Sequence, residues 1–260
     1  MSTAPILDNK YAGAPSVFEP AALLREARRQ KGLLAADVPP VCVLDPDGDI
    51  MRFLEGFGGA RPIQAWPCYH TALYGFELAG QSAGIIGGAV GAPFAVLVAE
   101  ELFASGCRLL ISVTSAGQIV SAGPPPYFVI IDRALRDEGT SYHYAAADVF
   151  AEADPSLIDA ATQALQEAGV SAHVGASWTT DAPFRETAEA IAAARSKGIL
   201  AVEMEAAALY TLARKRGHRV LCLAQVTNTM GLAGQDFEKG EAQGADEALR
   251  VLEALARKLK

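Results

Sequence analysis

The run Val202-Glu203-Met204-Glu205-Ala206-Ala207-Ala208-Leu209 sets two carboxylates two residues apart in an apolar stretch. A carboxylate can accept hydrogen bonds from two neighbouring hydroxyls at once, and its charge favours a cationic centre. At a helix start it can equally balance the helix dipole. Gly87-Gly88-Ala89-Val90-Gly91-Ala92-Pro93 joins a short apolar segment to a helical one. Its glycines let a ligand approach the backbone, and the helix start favours an anion or an oxygen acceptor. The same glycines serve a tight turn, and the spacing is neither a Walker loop nor a dinucleotide fingerprint. Ser112-Val113-Thr114-Ser115-Ala116-Gly117 offers hydroxyls to phosphate, water or sugar, or forms a plain Ser/Thr turn. Thr179 to Glu186 and Val226 to Met230 are rich in similar groups. His143, one of four histidines, is a candidate acid or base. It also reads as a satisfied structural histidine.

These segments need strands to position them, because ligands of open α/β sheets gather beyond the carboxyl ends of strands. Apolar runs predict strands over Val38–Leu44, Ser82–Gly88, Cys107–Val113, Tyr127–Ile131, Ala172–Trp178 and Val220–Val226. Helical patterns open at Glu19-Pro20 and stop at Gly32, open at Pro93 and stop near Gly106, and open at Asp154-Pro155 and stop at Gly169. Further helices are expected over Arg185–Lys197, Val202–Arg216 and Gly244–Lys260. Asp45-Pro46-Asp47-Gly48 reads as a turn, and the stretch from there to Tyr74 has no clear pattern. Alternating strands and helices predict one α/β domain over residues 1–260, a mixed sheet flanked by helices, with residues 1–37 as a helical extension.

Composition narrows the function. Of 260 residues, 51% are hydrophobic and 20% charged, enough for a sizeable core. The formal charge of -8 argues against broad attraction to nucleic acid or anionic lipid. Cys42, Cys68, Cys107 and Cys222 are scattered, without metal-ligand spacing, and fit a reducing, cytoplasmic setting. The uncharged stretch between Glu77 and Glu100 holds too many Gly residues for a membrane span.

Several motifs occur in one order. Gly91-Ala92-Pro93 precedes Val98-Ala99-Glu100-Glu101-Leu102. Gly139-Thr140-Ser141-Tyr142-His143-Tyr144 comes next, then Trp178-Thr179-Thr180-Asp181-Ala182-Pro183-Phe184-Arg185-Glu186-Thr187, and last the Val-Glu-Met-Glu-Ala-Ala run. From about Ala83 to the C-terminus the chain resembles the nucleoside phosphorylase superfamily of uridine phosphorylase, purine nucleoside phosphorylase and the methylthioadenosine nucleosidases. The Gly-Thr-Ser-x-His-Tyr run is most similar to the uridine phosphorylase branch.

The resemblance implies cleavage of the bond between ribose and base, a reaction whose transition state is cationic at the sugar. Glu205 matches the glutamate that accepts from the ribose hydroxyls, and Met204 the methionine packed on the sugar. Glu203 is left structural. Asn228 falls where purine-cleaving relatives carry an aspartate; an amide donates to a carbonyl or ring nitrogen but is no acid. This disfavours aminopurine chemistry and permits a pyrimidine or a 6-oxopurine. Phe184 and Arg185 lie in the loop that contacts the base. Gly91, Thr114 and Ser115 are the expected seat of phosphate or water. The family's Gly-Asp-Pro-x-Arg loop reads Leu44-Asp45-Pro46-Asp47-Gly48-Asp49 here, and Ser112 stands where a second arginine belongs. Unneutralised aspartates there would repel phosphate. Arg52, Arg61, Arg133 or Arg136 are possible substitutes. The resemblance thus points to phosphorolysis of a nucleoside such as uridine, with phosphate as co-substrate and no metal or other cofactor. Its alternatives are a hydrolytic nucleosidase on the same fold and a non-catalytic nucleoside-binding homologue. It also implies a homo-oligomer, dimer or hexamer, in which a neighbouring subunit completes the site and His143 faces a partner's pocket.

Overall fold

The computed structural model describes residues 4–229, 239 and 241–259. Its sheet strands are β1 (Val41–Asp45), β2 (Ala60–Pro62), β3 (Tyr74–Leu78), β4 (Gln81–Gly87), β5 (Leu109–Gln118), β6 (Tyr127–Asp137), β7 (Phe150–Glu152), β8 (Ala172–Thr180), β9 (Ala201–Glu203) and β10 (Arg219–Thr229). The helices are α1 (Pro20–Lys31), α2 (Asp49–Gly56), α3 (Ala92–Ala104), α4 (Pro155–Glu167), α5 (Ala188–Ser196), α6 (Ala206–Arg216) and α7 (Ala245–Lys258).

The sheet is mixed. β1 lies parallel between β4 and β5, and β3 and β2 follow antiparallel beyond β4. β5 also pairs with β10, β10 with β6, β6 with β8, β8 with β9, and β9 back with β5. Those five strands therefore close a ring, and β5 joins it to the open half of the sheet. A long strand paired on both sides must be apolar on both faces. β5 meets that condition, with Leu109 to Thr114 all buried. Two apolar clusters form the core, a large one spanning most elements and a smaller one around Trp178, Ile191 and Val202.

Local chemistry explains the element ends. Pro20 starts α1, and Gly32 at φ 65° ends it in the left-handed region that favours glycine. Asp154 caps α4 by accepting from Ser156 N, and Thr187 caps α5 by accepting from Ala190 N.

Four sequence expectations need correction. The first strand begins at Val41, not Val38, because Pro39 and Pro40 have no N–H for a ladder. Thr114 to Gly117 is not a turn but the end of β5, held by β10 on one edge and at Gly117 by β9 on the other. Val202-Glu203 is strand rather than helix, since β9 is inserted between β5 and β8; α6 starts only at Ala206. The helix expected from Arg185 is a 3-10 turn over Pro183–Arg185 followed by α5 from Ala188. The unpatterned stretch before Tyr74 contains α2 and β2, elements of eight and three residues, too short to show a period. Met230 and Lys260 lie outside the described residues.

Candidate active site

The carboxyl ends of β1, β5, β8, β9 and β10, with the glycine loop after β4, bring the expected segments together. Glu203 ends β9 and is buried. It accepts hydrogen bonds from Ser177 Oγ at 2.9 Å, Thr179 Oγ1 at 2.5 Å, and the N–H groups of Glu205 and Ala206, each at 2.7 Å. The last two are donors that a helix start leaves unpaired. Glu203 thereby fixes the turn into α6, which aims Glu205 elsewhere.

Glu205 is 1% exposed. Its Oε1 accepts from the N–H of Gly91 at 2.7 Å, and its buried Oε2 has no donor in hydrogen-bond geometry among the described residues, with the Thr114 hydroxyl nearby. Gly91, at φ 89°, lies in the positive-φ region that favours glycine, just ahead of α3. Burial, then the neighbouring charge of Glu203, pushes the Glu205 carboxyl up to about 8; the Gly91 N–H and the Thr114 hydroxyl oppose this, and Asp47 adds to it. Burial also raises Glu203, but four donors favour its ionised form. Glu205 has fewer donors, so burial holds the Glu205 carboxyl toward its protonated form. A buried carboxylate oxygen without a donor is a place for one. Met204, half-buried, stands between the two glutamates.

Asn228 is half-buried near the end of β10, opposite Gly117 of β5. The register slips by one residue between Val226 and Asn228, a bulge of the kind that re-aims side chains. Thr227 Oγ1 donates to Asn228 Oδ1 at 3.3 Å. Phe184 and Arg185 occupy the exposed 3-10 turn after β8, and Phe184 is 98% exposed. Glu186, half-buried in the same loop, is pushed up to about 7 by burial.

The expected phosphate seat is occupied by the protein. Gly91 N–H is committed to Glu205, and Ser115 N–H donates to Asp47 Oδ2 at 2.8 Å. Thr114, buried beside them, makes a 3.4 Å contact to Ser115 O. The space left among Asp47, Asp49, Thr114, Ser115, Gln225 and Lys239 is about 10 Å³, enough for one water but not for phosphate. The aspartates are not unneutralised, as the sequence suggested. Asp49 pairs with Arg52 at 2.5 Å and with Lys239 at 2.5 Å, and Lys239 Nζ stands 3.9 Å from Asp47 Oδ1. Asp45, beneath them, is pushed up to about 7 by burial, with smaller contributions from Asp47 and Asp49.

Of the arginines considered as substitutes, only Arg52 is seen in contact here, and it is tied to Asp49 and to the Asp47 carbonyl. Arg136 is buried against Ser141 and Ala146 O, Arg133 lies over the Phe150 ring, and Arg61 is exposed on β2. Lys239 escaped the sequence reading because 190 residues separate it from Asp49 and no motif marks it. Asp47 was read as a source of repulsion, and nothing in the sequence shows that it reaches Ser115. His143 is exposed rather than enclosed as a structural histidine would be. It lines a separate cavity of about 930 Å³ between the N-terminal segment and α3, to which Glu205, Thr114 and Asn228 do not contribute.

The phosphorylase superfamily model matches residues 41–257. A uridine phosphorylase of Thermococcus kodakarensis is 33% identical over 205 residues, 70% of each chain. A DeoD-type purine nucleoside phosphorylase of Roseobacter denitrificans is 29% identical over 207 residues, 72% of this chain and 83% of that one. A guanosine phosphorylase of Halorubrum lacusprofundi is 27% identical over 146 residues, 56% of this chain and 61% of that one. Among solved structures, a uridine phosphorylase from Vibrio fischeri superposes with a TM-score of 0.72 at 24% identity, covering 86% of this chain and 95% of that one, which shows the shared fold.

Proposed function

Because the chain belongs to the phosphorylase superfamily, we propose that it cleaves the N-glycosidic bond of a nucleoside and transfers the ribosyl group to phosphate, with a pyrimidine nucleoside such as uridine favoured. The observation that carries this reading is the Oε2 of Glu205 in the Val-Glu-Met-Glu motif, buried and without a donor in hydrogen-bond geometry among the described residues. It is the acceptor a ribose diol requires. As the C1′–N bond breaks, its electron pair leaves with the base and the sugar becomes cationic. A phosphate oxygen then bonds to C1′, giving ribose 1-phosphate. Glu205, ionised once the diol supplies donors, stabilises the cationic sugar. The Asn228 amide donates to the departing base, and Met204 packs on the sugar. Phe184 and Arg185 contact the base when their exposed turn closes over it.

Phosphate as acceptor is supported by the names of the relatives, which are phosphorylases. Uridine is supported by the similarity to a uridine phosphorylase and by an amide at position 228. Among the described residues no helix is long and apolar enough to cross a membrane, and action in the cytoplasm is part of the same reading. Assembly as a homo-oligomer belongs to the same reading. The test is a panel of uridine, thymidine, inosine, guanosine and adenosine with and without phosphate. Ribose 1-phosphate and free uracil from uridine are expected; intact nucleosides throughout would leave a binding protein without turnover.

One observation favours a second reading. Asp47 occupies the Ser115 N–H and leaves room for a single water. Water as nucleophile, with Asp47 taking its proton, would release free ribose at a rate independent of phosphate.

A further inference from the structure

We propose that Lys239 is the phosphate-binding cation of this site and that the Asp47 carboxylate is an internal competitor which must leave Ser115 before phosphate enters. The inference rests on the phosphorolytic reading above and identifies the charge that reading lacks.

A phosphate dianion needs donors and positive charge. The two positions where the family resemblance would place arginines hold Gly48 and Ser112. Asp47 nevertheless behaves as an anion does in such a seat. One carboxylate oxygen takes the Ser115 N–H at 2.8 Å, and the other faces Lys239 Nζ at 3.9 Å. A backbone donor and an ammonium thus already converge on one negative group. Among the described residues, Lys239 is the cation ion-paired to the Asp47 carboxylate. Arg52 is turned to the Asp47 backbone carbonyl and to Asp49.

Asp47 can move. Its side chain is 30% exposed, and it lies in the turn before α2 rather than within a packed element. Swinging it outward frees the Ser115 N–H and widens a space of about 10 Å³. Lys239 has Asp49 at 2.5 Å as its closer partner and stays anchored through the exchange. Asp49, with Arg52 on its other side, is therefore a hinge for the lysine and not a second competitor. The carboxylate also keeps the Ser115 N–H from lying unpaired in the empty site, which explains its presence where phosphate is the substrate. The consequence is weak phosphate binding, set by competition with a tethered carboxylate.

The experiment uses the full-length protein with uridine and inorganic phosphate. Initial rates are measured over a phosphate series for the wild type, Asp47→Ala, Lys239→Met and Lys239→Arg, with Tm recorded for each. Removing Asp47 is expected to lower the phosphate KM about tenfold and Lys239→Met to raise it about tenfold, with uridine KM changed less than about twofold. Lys239→Arg should restore most of the affinity. A phosphate-dependent wild type whose phosphate KM is unmoved by both Asp47→Ala and Lys239→Met overturns the inference and leaves phosphorolysis standing. Free ribose made equally fast without phosphate overturns both. If Lys239→Met lowers Tm, the Asp47→Ala shift and the Lys239→Arg rescue decide the matter.

Discussion

Glu205→Gln separates the charge of this side chain from its shape. In the empty site the folded chain holds the Glu205 proton to about pH 8, against an ordinary value of 4.5. Each pKa unit corresponds to about 1.4 kcal/mol, so keeping the empty carboxylate ionised costs on the order of 5 kcal/mol. The sign follows from proton counting. Between pH 4.5 and about 8 the folded state binds the proton and the unfolded state does not, so this group makes stability fall as pH rises. Glutamine does not titrate, and its oxygen can still accept from Gly91 N–H. Asp45, raised to about 7, adds a similar slope to both proteins and cancels in their difference. The assay is urea unfolding of ligand-free wild type and Glu205→Gln from pH 5 to 8.5. The variant should gain on the wild type steadily across that range. Its nucleoside cleavage should meanwhile fall about 30- to 800-fold in kcat/KM, since a charged acceptor is worth about 2–4 kcal/mol to a cationic transition state. Parallel stability curves would refute the argument that Glu205 is an uncompensated buried carboxyl.

Glu203→Ala should destabilise the fold by on the order of 4 kcal/mol, because two hydroxyls and two amides lose their acceptor together; the urea midpoint measures this. Asn228→Asp should shift base preference toward adenosine and away from uridine, since a carboxyl can donate a proton to a purine nitrogen but repels a carbonyl when ionised; competition between the two nucleosides reads the ratio. Phe184→Ala should raise the uridine KM severalfold and leave Tm within about a degree, because a side chain 98% exposed contributes nothing to the folded chain alone.

Legibility followed the range of each interaction. Pro20, Asp154 and Gly32 act within one turn of their own helices, and those boundaries are readable from sequence. The alternation that implied an α/β chain with a mixed sheet is carried by long apolar runs such as Leu109–Val113. β9 was hidden inside an apparently continuous helical pattern, because three residues paired on both sides leave no period of their own. The closed ring of five strands depends on β5 pairing with three neighbours, a property of the assembled sheet. In the site, the motif marks Glu203 and Glu205 apart but shows neither side chain's contacts: among the described residues four donors reach Glu203, and the Gly91 amide reaches Glu205. The contact between Asp47 and Ser115 spans 68 residues, and Lys239 reaches Asp49 across 190. Charges so far apart in sequence meet only through the crossing of β1, β5 and β10.

Product analysis of uridine cleavage with and without inorganic phosphate tests the central claim most directly. The account predicts ribose 1-phosphate and uracil in equal amounts, with a rate that vanishes as phosphate is removed. Free ribose at an unchanged rate in phosphate-free buffer would contradict it and make water the nucleophile.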